Sequence, residues 1–284
     1  MDLPGEMNKS DFGLFQKLIY DETGINMTDK KCTLLANRIR KRLVALNIDS
    51  YNKYYLYLKN SPDKQAEIIN MVDAVTTNVT EFFRNPKQFD VFRDSVMPAV
   101  LKAAADKRTL RILSAGCSSG EEPYTIAILL LESFAPTVAT WTVVIDAMDI
   151  STEILRQAEE GVFKKDKMKG LTDSQIEKFF DVISEDTYRA KAKTKSLIKY
   201  RKFNLKSDNF TAKYDVVFCR NVVIYFDRET KSGIYQKFYD SMQPHGYFLV
   251  GYSEGIINDD RFKYHTPGIY TKNPNPKSLA GDFK

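Results

Sequence analysis

The chain has 284 residues, of which 43% are hydrophobic and 28% charged, with a formal net charge of +5. That balance is ordinary for a soluble globular protein, and the length suits one large domain or two smaller ones, each able to bury a core. No apolar run approaches the roughly 20 residues that span a bilayer. The opening Met1-Asp2-Leu3-Pro4-Gly5-Glu6 has neither the basic nor the apolar segment of a secretory signal, so none is expected. Cys32, Cys117 and Cys219 lie far apart and form no CxxC pair, which argues against a zinc site or a disulfide framework and fits a reducing cytoplasm. The charge is uneven: Lys30 to Arg42 holds six basic residues and no acid, and Arg189 to Lys206 holds eight and again no acid. Such clusters focus field more than the net charge does.

Residues 8–85 read as a small helical domain. Phe12, Phe15, Leu18 and Ile19 keep helical spacing, and Tyr51 to Leu58 is a second apolar stretch. Residues 86–108 form an amphipathic connection with Phe89, Phe92, Val96 and Val100 on one face. From Leu110 the texture changes, and residues 109–272 read as an α/β domain. Leu110 to Leu113 is a strand, a glycine-containing loop follows, and a helix runs from about Glu121 to Glu132. Thr142 to Met148 is a second strand ending at Asp149, with Ser151 as N-cap of the next helix. Tyr214 to Cys219 is a third strand, Arg228 to Met242 a helix, and Gly246 to Gly251 a fourth strand. This alternation implies a parallel sheet covered on both faces. Residues 163–203 interrupt the rhythm: Thr172 to Phe180 suits a short helix, and the alternation of Lys191, Lys193 and Lys195 suits strands. We expect an inserted small β-subdomain there. The tail, 273–284, is expected to be mobile. No internal repeat is present.

Gly116-x-x-x-Gly120 lies between a strand and a helix, where glycine allows a sharp turn and the helix N-terminus faces a ligand. Asp149, at the end of the next strand, is placed to accept both hydroxyls of a ribose. Alone, it reads equally well as a helix-initiating or surface aspartate. Glu121 and Glu122 follow Gly120 where a pyrophosphate would sit, and adjacent carboxylates repel phosphate. A ligand with a cationic amino-acid portion is favoured instead, which points to S-adenosylmethionine rather than NAD or ATP. Both glutamates also suit the helix dipole, whatever binds.

The stretch Ala115-Gly116-Cys117-Ser118-Ser119-Gly120-Glu121-Glu122-Pro123-Tyr124 resembles the cofactor loop of the chemotaxis receptor methyltransferases, the CheR family. Thr76 to Arg84 (Thr-Thr-Asn-Val-Thr-Glu-Phe-Phe-Arg) and Phe218 to Asp227 (Phe-Cys-Arg-Asn-Val-Val-Ile-Tyr-Phe-Asp) resemble two further signatures of that family. The three occur in the family's order, and the resemblance covers about residues 10–272. One departure is Gly116-Cys117, where the family is commonly Ala-rich. The resemblance implies a small all-helical N-terminal domain, then a Rossmann-like S-adenosylmethionine methyltransferase domain carrying an inserted β-subdomain. It also implies that Asn78, Thr80, Arg84, Gly116, Glu122, Asp149, Asn204, Leu205, Arg220 and Asn221 line the cofactor site, with Arg84 and Tyr225 nearest the chemistry. The implied activity is methylation of glutamate carboxylates on chemotaxis receptors for sensory adaptation, with S-adenosylmethionine as cofactor and no metal.

Methyl transfer to a carboxylate needs no general base, since a glutamate with a reference pKa of about 4.3 is ionised at neutral pH. Alignment and desolvation are the enzyme's task, and an arginine and a tyrosine suit it. With only His245 and His265 present, histidine-driven catalysis is not expected. Taken singly, Arg84 could be a surface arginine, Tyr225 a core residue and Asn221 a turn residue. Cys219 ends an apolar strand, which favours a buried thiol over a nucleophile. Two other functions stay open: an RNA or DNA base methyltransferase, suggested by the basic patches, and a non-catalytic S-adenosylmethionine sensor. Against the first, Arg220-Asn221-Val222-Val223 lacks the Asn/Asp-Pro-Pro-aromatic motif of amino-methylases.

At about 100° per residue, Lys31, Arg38 and Arg42 fall in one sector beside the stripe of Leu35, Ile39, Leu43 and Leu46. A solvated helix face is the plain reading; with the resemblance, docking on acidic receptor helices is expected. In part of the family the inserted subdomain grips a receptor tether peptide through a glycine-containing loop. Here Asp181 to Tyr200 has no glycine, so tether-independent methylation is expected, aided by the basic run from Arg189 to Lys206. Edge lysines also serve solubility alone. The expected setting is a cytoplasmic monomer recruited to receptor arrays at the inner membrane face, without membrane insertion or nucleic-acid partner.

Overall fold

The computed structural model describes residues 6–276. Four helices open the chain: α1 (Lys9–Thr23), α2 (Cys32–Leu46), α3 (Tyr51–Asn60) and α4 (Lys64–Val75). Their ends follow local chemistry. The Asn8 side chain accepts from the Asp11 N–H at the start of α1, and Gly24 at φ 79° ends it. Ser50 caps α3 in the same manner as Asn8. The helices close over Phe12, Phe15, Leu35, Ile39 and Leu43, all buried, and the Phe15 ring is flanked by Tyr51, Tyr54 and Tyr55 at 5.9–6.5 Å.

A broken helix joins this bundle to the rest. It runs as α5 (Pro86–Val91), a widened π turn (Phe92–Val96) and α6 (Met97–Ala103). The π turn ends two residues before Pro98, whose nitrogen has no hydrogen to donate to the helical ladder. Phe89, Phe92, Val96 and Val100 are buried, as their common face predicts.

The remaining chain builds a sheet from β1 (Thr109–Ala115), β2 (Thr142–Asp149), β6 (Ile198–Lys202), β7 (Tyr214–Cys219), β8 (Met242–Val250), β9 (Phe262–Thr266) and β10 (Ile269–Lys272), ordered β6-β2-β1-β7-β8-β10-β9. The first five are mutually parallel. Successive residues face opposite sides: Ile112, Val216 and Phe218 join one core with α7 (Glu121–Ser133), and Leu113, Val217 and Cys219 join another with α12 (Arg228–Ser241). The short α8 (Ala135–Thr140) leads into β2, and α9 (Thr152–Glu160) follows it with Ser151 as its cap.

Four expectations change. The sheet is not wholly parallel: β10 runs antiparallel to β8 and to β9. The sequence reading placed no strand there, because Lys263, Tyr264 and His265 are exposed and break the apolar signal. The insertion is also shorter than 163–203. It comprises β3 (Val162–Lys164), α10 (Asp173–Phe179), β4 (Phe180–Ser184) and β5 (Thr187–Ala190), with strand order β3-β5-β4. Ile198–Lys202 instead extends the main sheet beside β2. The alternating lysines form no strand: Lys191 precedes the short helix α11 (Ala192–Lys195), which carries Lys193 and Lys195, and the i, i+3 pair Thr194 and Leu197 turns inward. Finally, the start of the tail is tied down, with the Asn273 N–H donating to the Arg261 carbonyl at 2.8 Å and its own carbonyl accepting from the Tyr239 hydroxyl at 2.9 Å. The rest of the expected mobile tail, 277–284, lies outside the described residues.

Candidate active site

A cleft opens where the C-terminal ends of β1, β2 and β7 meet the helical bundle, the crevice in which parallel α/β sheets take ligands. Its floor is the turn after β1. Gly116 stands at φ 74°, and a Cβ there would come within 2.4 Å of Val222. The N–H groups of Gly116 and Cys117 both donate to the Met148 carbonyl, at 2.7 and 3.0 Å, locking the turn to β2. Gly120, at φ 98°, ends the loop against Ala158 of α9. The motif therefore requires glycine at both ends for steric reasons.

Four charged or polar groups converge on this floor. Asp149 is buried; one carboxylate oxygen accepts from the Ser118 N–H at 2.9 Å and the other from the Ser151 N–H at 3.0 Å. Burial raises its pKa despite those donors. Glu122 accepts from the Ser114 hydroxyl at 2.8 Å and meets Arg220 at 3.3 Å. Burial raises the Glu122 carboxyl and lowers the Arg220 guanidinium, each opposed by the other's charge. Arg220 also lies over the Phe89 ring and donates to the Arg84 carbonyl. Asn221 follows at φ 61°.

Only one of the two expected acids faces the cleft. Glu121 turns into the protein, buried, and accepts from the Ser119 hydroxyl at 2.6 Å. Consecutive helical residues point about 100° apart, which separates a pair adjacent in sequence.

The cleft's near wall is the segment after α4. Arg38 of α2 fastens it by donating to the Val75 carbonyl and to the Thr77 hydroxyl. The Asn78 carbonyl accepts from the Ser118 hydroxyl at 3.1 Å, and Arg84 donates to the Val79 carbonyl at 3.0 Å. Asn78, Thr80 and Arg84 all line the cleft. On the far wall, Asn204 and the buried Leu205 line it too. The Asn204 amide donates to the Glu22 carbonyl at 2.7 Å, so it also joins the end of α1 to the sheet domain. Tyr225 sits in a 3-10 turn (Val223–Tyr225), with its carbonyl accepting from the Asn26 N–H at 2.8 Å and Lys31 over its ring at 5.3 Å.

The expected docking set divides. Lys31 and Arg38 line the cleft, whereas Arg42 does not. Arg42 grips the buried Glu67 through two contacts, at 2.8 and 2.7 Å. A shared helical sector placed the three together, and that pattern cannot register a partner on α4. Reversing Arg42 would therefore act on stability before receptor binding.

Sequence reasoning missed Ile25 and Met27, which line the cleft from the loop after α1, and Glu254, whose carboxylate fastens the Asn221–Tyr225 turn from below. An acid three residues beyond a strand-ending glycine was the only available signal for Glu254. Cys219 is fully buried, and burial pushes its thiol pKa up, in keeping with a structural role.

The residues present fit S-adenosylmethionine. Each Asp149 oxygen takes one backbone N–H and keeps acceptor capacity for a ribose hydroxyl. Glu122 offers negative charge to an ammonium. Arg220 Nε and Asn221 Oδ1 are buried without a partner among the described residues, which a polar ligand would relieve.

Comparison with known proteins agrees with this geometry. Residues 10–76 match the CheR methyltransferase all-alpha domain, and residues 78–269 match the CheR methyltransferase SAM binding domain. The chain is 33% identical over 271 residues to a chemotaxis protein methyltransferase of Borreliella burgdorferi, covering 94% of this chain and 95% of that protein. It is 32% identical over 247 residues to that of Salmonella typhimurium (85% and 82% covered) and 30% identical over 260 residues to that of Escherichia coli (90% and 87%). The expected all-helical domain, methyltransferase domain and cofactor are thereby shown, and the chain belongs to the CheR family of S-adenosylmethionine-dependent methyltransferases.

Proposed function

We propose that this chain is a protein-glutamate O-methyltransferase that converts glutamate side chains of chemotaxis receptors to 5-O-methyl esters. One observation supports the reading above others: cationic side chains surround the cleft that takes the cofactor. Lys31, Arg38 and Arg84 line it together with Tyr225, and neither histidine does. His245 is instead held by Asp215 at 2.8 Å, and His265 faces Ser95 at 3.3 Å.

When bound, S-adenosylmethionine would supply an electrophilic methyl carbon on a sulfonium, with S-adenosylhomocysteine as the product. Asp149 would hold the ribose, and Glu122 and Arg220 would receive the amino-acid portion, with Asn78, Thr80, Gly116, Asn204, Leu205 and Asn221 around it. Arg84 orients the incoming carboxylate and Tyr225 hydrogen-bonds beside it. No residue takes a proton, because the nucleophile arrives ionised. Enclosure between the helical bundle and the sheet strips water from that carboxylate and aligns it, and alignment alone can supply ~7–11 kcal/mol.

Lys31 and Arg38 draw acidic receptor helices to the mouth of the cleft. Engagement is independent of a tether peptide: in the Glu185-Asp186 turn between β4 and β5, Asp186 already accepts from Lys164, Ser184 and Thr187. The enzyme works as a cytoplasmic monomer at receptor arrays; among the described residues no helix is long and apolar enough to cross a membrane.

The test is incubation of receptor cytoplasmic fragments, and separately of RNA, with the enzyme and methyl-labelled cofactor. An alkali-labile label on receptor glutamates, located by mass spectrometry, is the expected result. Label on RNA, or an alkali-stable product, overturns the reading.

A further inference from the structure

Glu254 is nearly fully buried, at 4% exposure, yet takes part in no ion pair among the described residues. Its partners are backbone N–H groups from two separate places. One oxygen, Oε2, accepts from Asn221 and from Gly251 at 2.8 Å, and the other, Oε1, accepts from Ile224 at 3.3 Å. The Glu254 N–H in turn donates to the Gly251 carbonyl at 2.9 Å, closing a tight turn at the end of β8. A side chain at Gly251 would collide with this arrangement, since a Cβ there would lie 2.6 Å from Oε2 and 3.0 Å from the Asn221 amide.

The two pinned residues of the β7 loop, Asn221 and Ile224, bracket a stretch with little regular structure of its own. Asn221 holds a positive φ of 61°, which an asparagine tolerates but does not prefer, so something must select it. Tyr225 follows Ile224 directly. Arg220 precedes Asn221 and points into the cleft. A buried charge accepting several N–H donors imposes strict directions on them, because each donor left unpaired there costs more than a hydrogen bond to water.

We propose that Glu254 is a positioning residue for methyl transfer, holding the Arg220–Tyr225 turn so that Tyr225 meets the cleft in its working orientation. This rests on the methyltransferase reading given above. Glu254 does not line the cleft, so it acts through the backbone it grips.

Glu254→Gln tests it in the full chain. An amide oriented to keep its oxygen for Asn221 and Gly251 turns its NH2 toward the Ile224 N–H, two donors facing each other beside Tyr225. The expected result is unchanged cofactor affinity by calorimetry and a kcat lowered on the order of 10²-fold, the scale of a small misplacement of a catalytic group. In the Glu254→Gln background, Tyr225→Phe is expected to cost far less than in the parent, because the tyrosine is already misplaced. Hydrogen exchange gives a reading independent of activity: the Ile224 amide loses protection while the β7 amides keep theirs. If Glu254→Gln folds poorly, Glu254→Asp, which keeps the charge and shortens the reach, carries the same cycle. Unchanged kcat, additive losses in the cycle, or equal loss of protection across β7 overturns the inference. Failure of the parent enzyme to methylate receptor glutamates strikes the functional reading instead and leaves the exchange result standing.

Discussion

Two arginine–glutamate pairs among the described residues are largely shielded from solvent, and they are built differently. In the helical bundle, Arg42 meets Glu67 through two contacts, and Tyr54 and Asn70 complete the carboxylate at 2.6 and 3.0 Å. In the cleft, Arg220 meets Glu122 once, at 3.3 Å, and its Nε stays buried without a partner among the described residues. The directions of the pKa shifts follow. Burial pushes Glu67 up, but Arg42, Tyr54 and Asn70 together outweigh it, and the net shift is downward. Burial also pushes Glu122 up, and there the donors lose. A pair that is fully satisfied holds a fold together; a pair left short of partners is poised to take a ligand.

The largest effect that tests this contrast falls on stability. Arg42→Ala leaves Glu67 buried and uncompensated and is expected to cost about 3 kcal/mol of unfolding free energy. Urea denaturation measures it, and a loss below about 0.5 kcal/mol would place the pair among ordinary surface contacts. Turnover of the folded enzyme should be little changed.

Next comes the cofactor. Asp149→Ala removes an acceptor shared by two ribose hydroxyls, and hydrogen bonds to charged groups are worth ~1.5–3 kcal/mol, so the Kd should rise at least tenfold. Arg220→Ala should weaken binding by a similar or smaller factor and lower stability less than Arg42→Ala does. A larger stability loss at Arg220 than at Arg42 would invert the comparison.

The pH dependence should separate the two glutamates by sign. Glu67 has a depressed folded pKa, so its stabilisation is present above the unfolded value of 4.5 and is lost as pH falls through the folded one. Glu122 has a raised folded pKa, so the ligand-free protein loses stability as pH rises from 4.5 through that value. Glu67→Gln should flatten the acid side of the stability curve, and Glu122→Gln should remove the opposing slope. Thermal unfolding across pH 3–7, compared between the variants, measures both; equal slopes would refute the distinction.

The smallest effect concerns the receptor. Lys31→Glu should raise the KM for receptor without changing cofactor affinity, and added salt should slow the parent enzyme more than the variant. A receptor C-terminal pentapeptide should not bind. Micromolar binding that is lost on deleting residues 184–196 would show that the inserted strands do grip a tether.

Much of the fold was legible because its signals are local. The strand Tyr214–Cys219 is six apolar or buried residues in a row, and Gly116 and Gly120 flank a turn only glycine permits. Ser151 caps its helix as its residue type predicts. The lysine alternation at 191–195 misled for the same local reason: a period of two on residues that all keep contact with solvent says nothing about the buried Thr194 and Leu197 that set the helical turn.

Residue type and order alone determined the chemistry on offer: a glycine turn before a helix, an acid closing the second strand, and an Arg-Asn dipeptide closing another. Only the tertiary structure decided which of those groups share a cleft. It turned Glu121 inward and left Glu122 facing the ligand, gave Arg42 to Glu67, and brought Glu254 beneath a loop 30 residues away in sequence. The reason is physical. A side chain's partner is set by packing across elements, and a buried charge is held by whichever donors reach it, which no period or motif in the chain records.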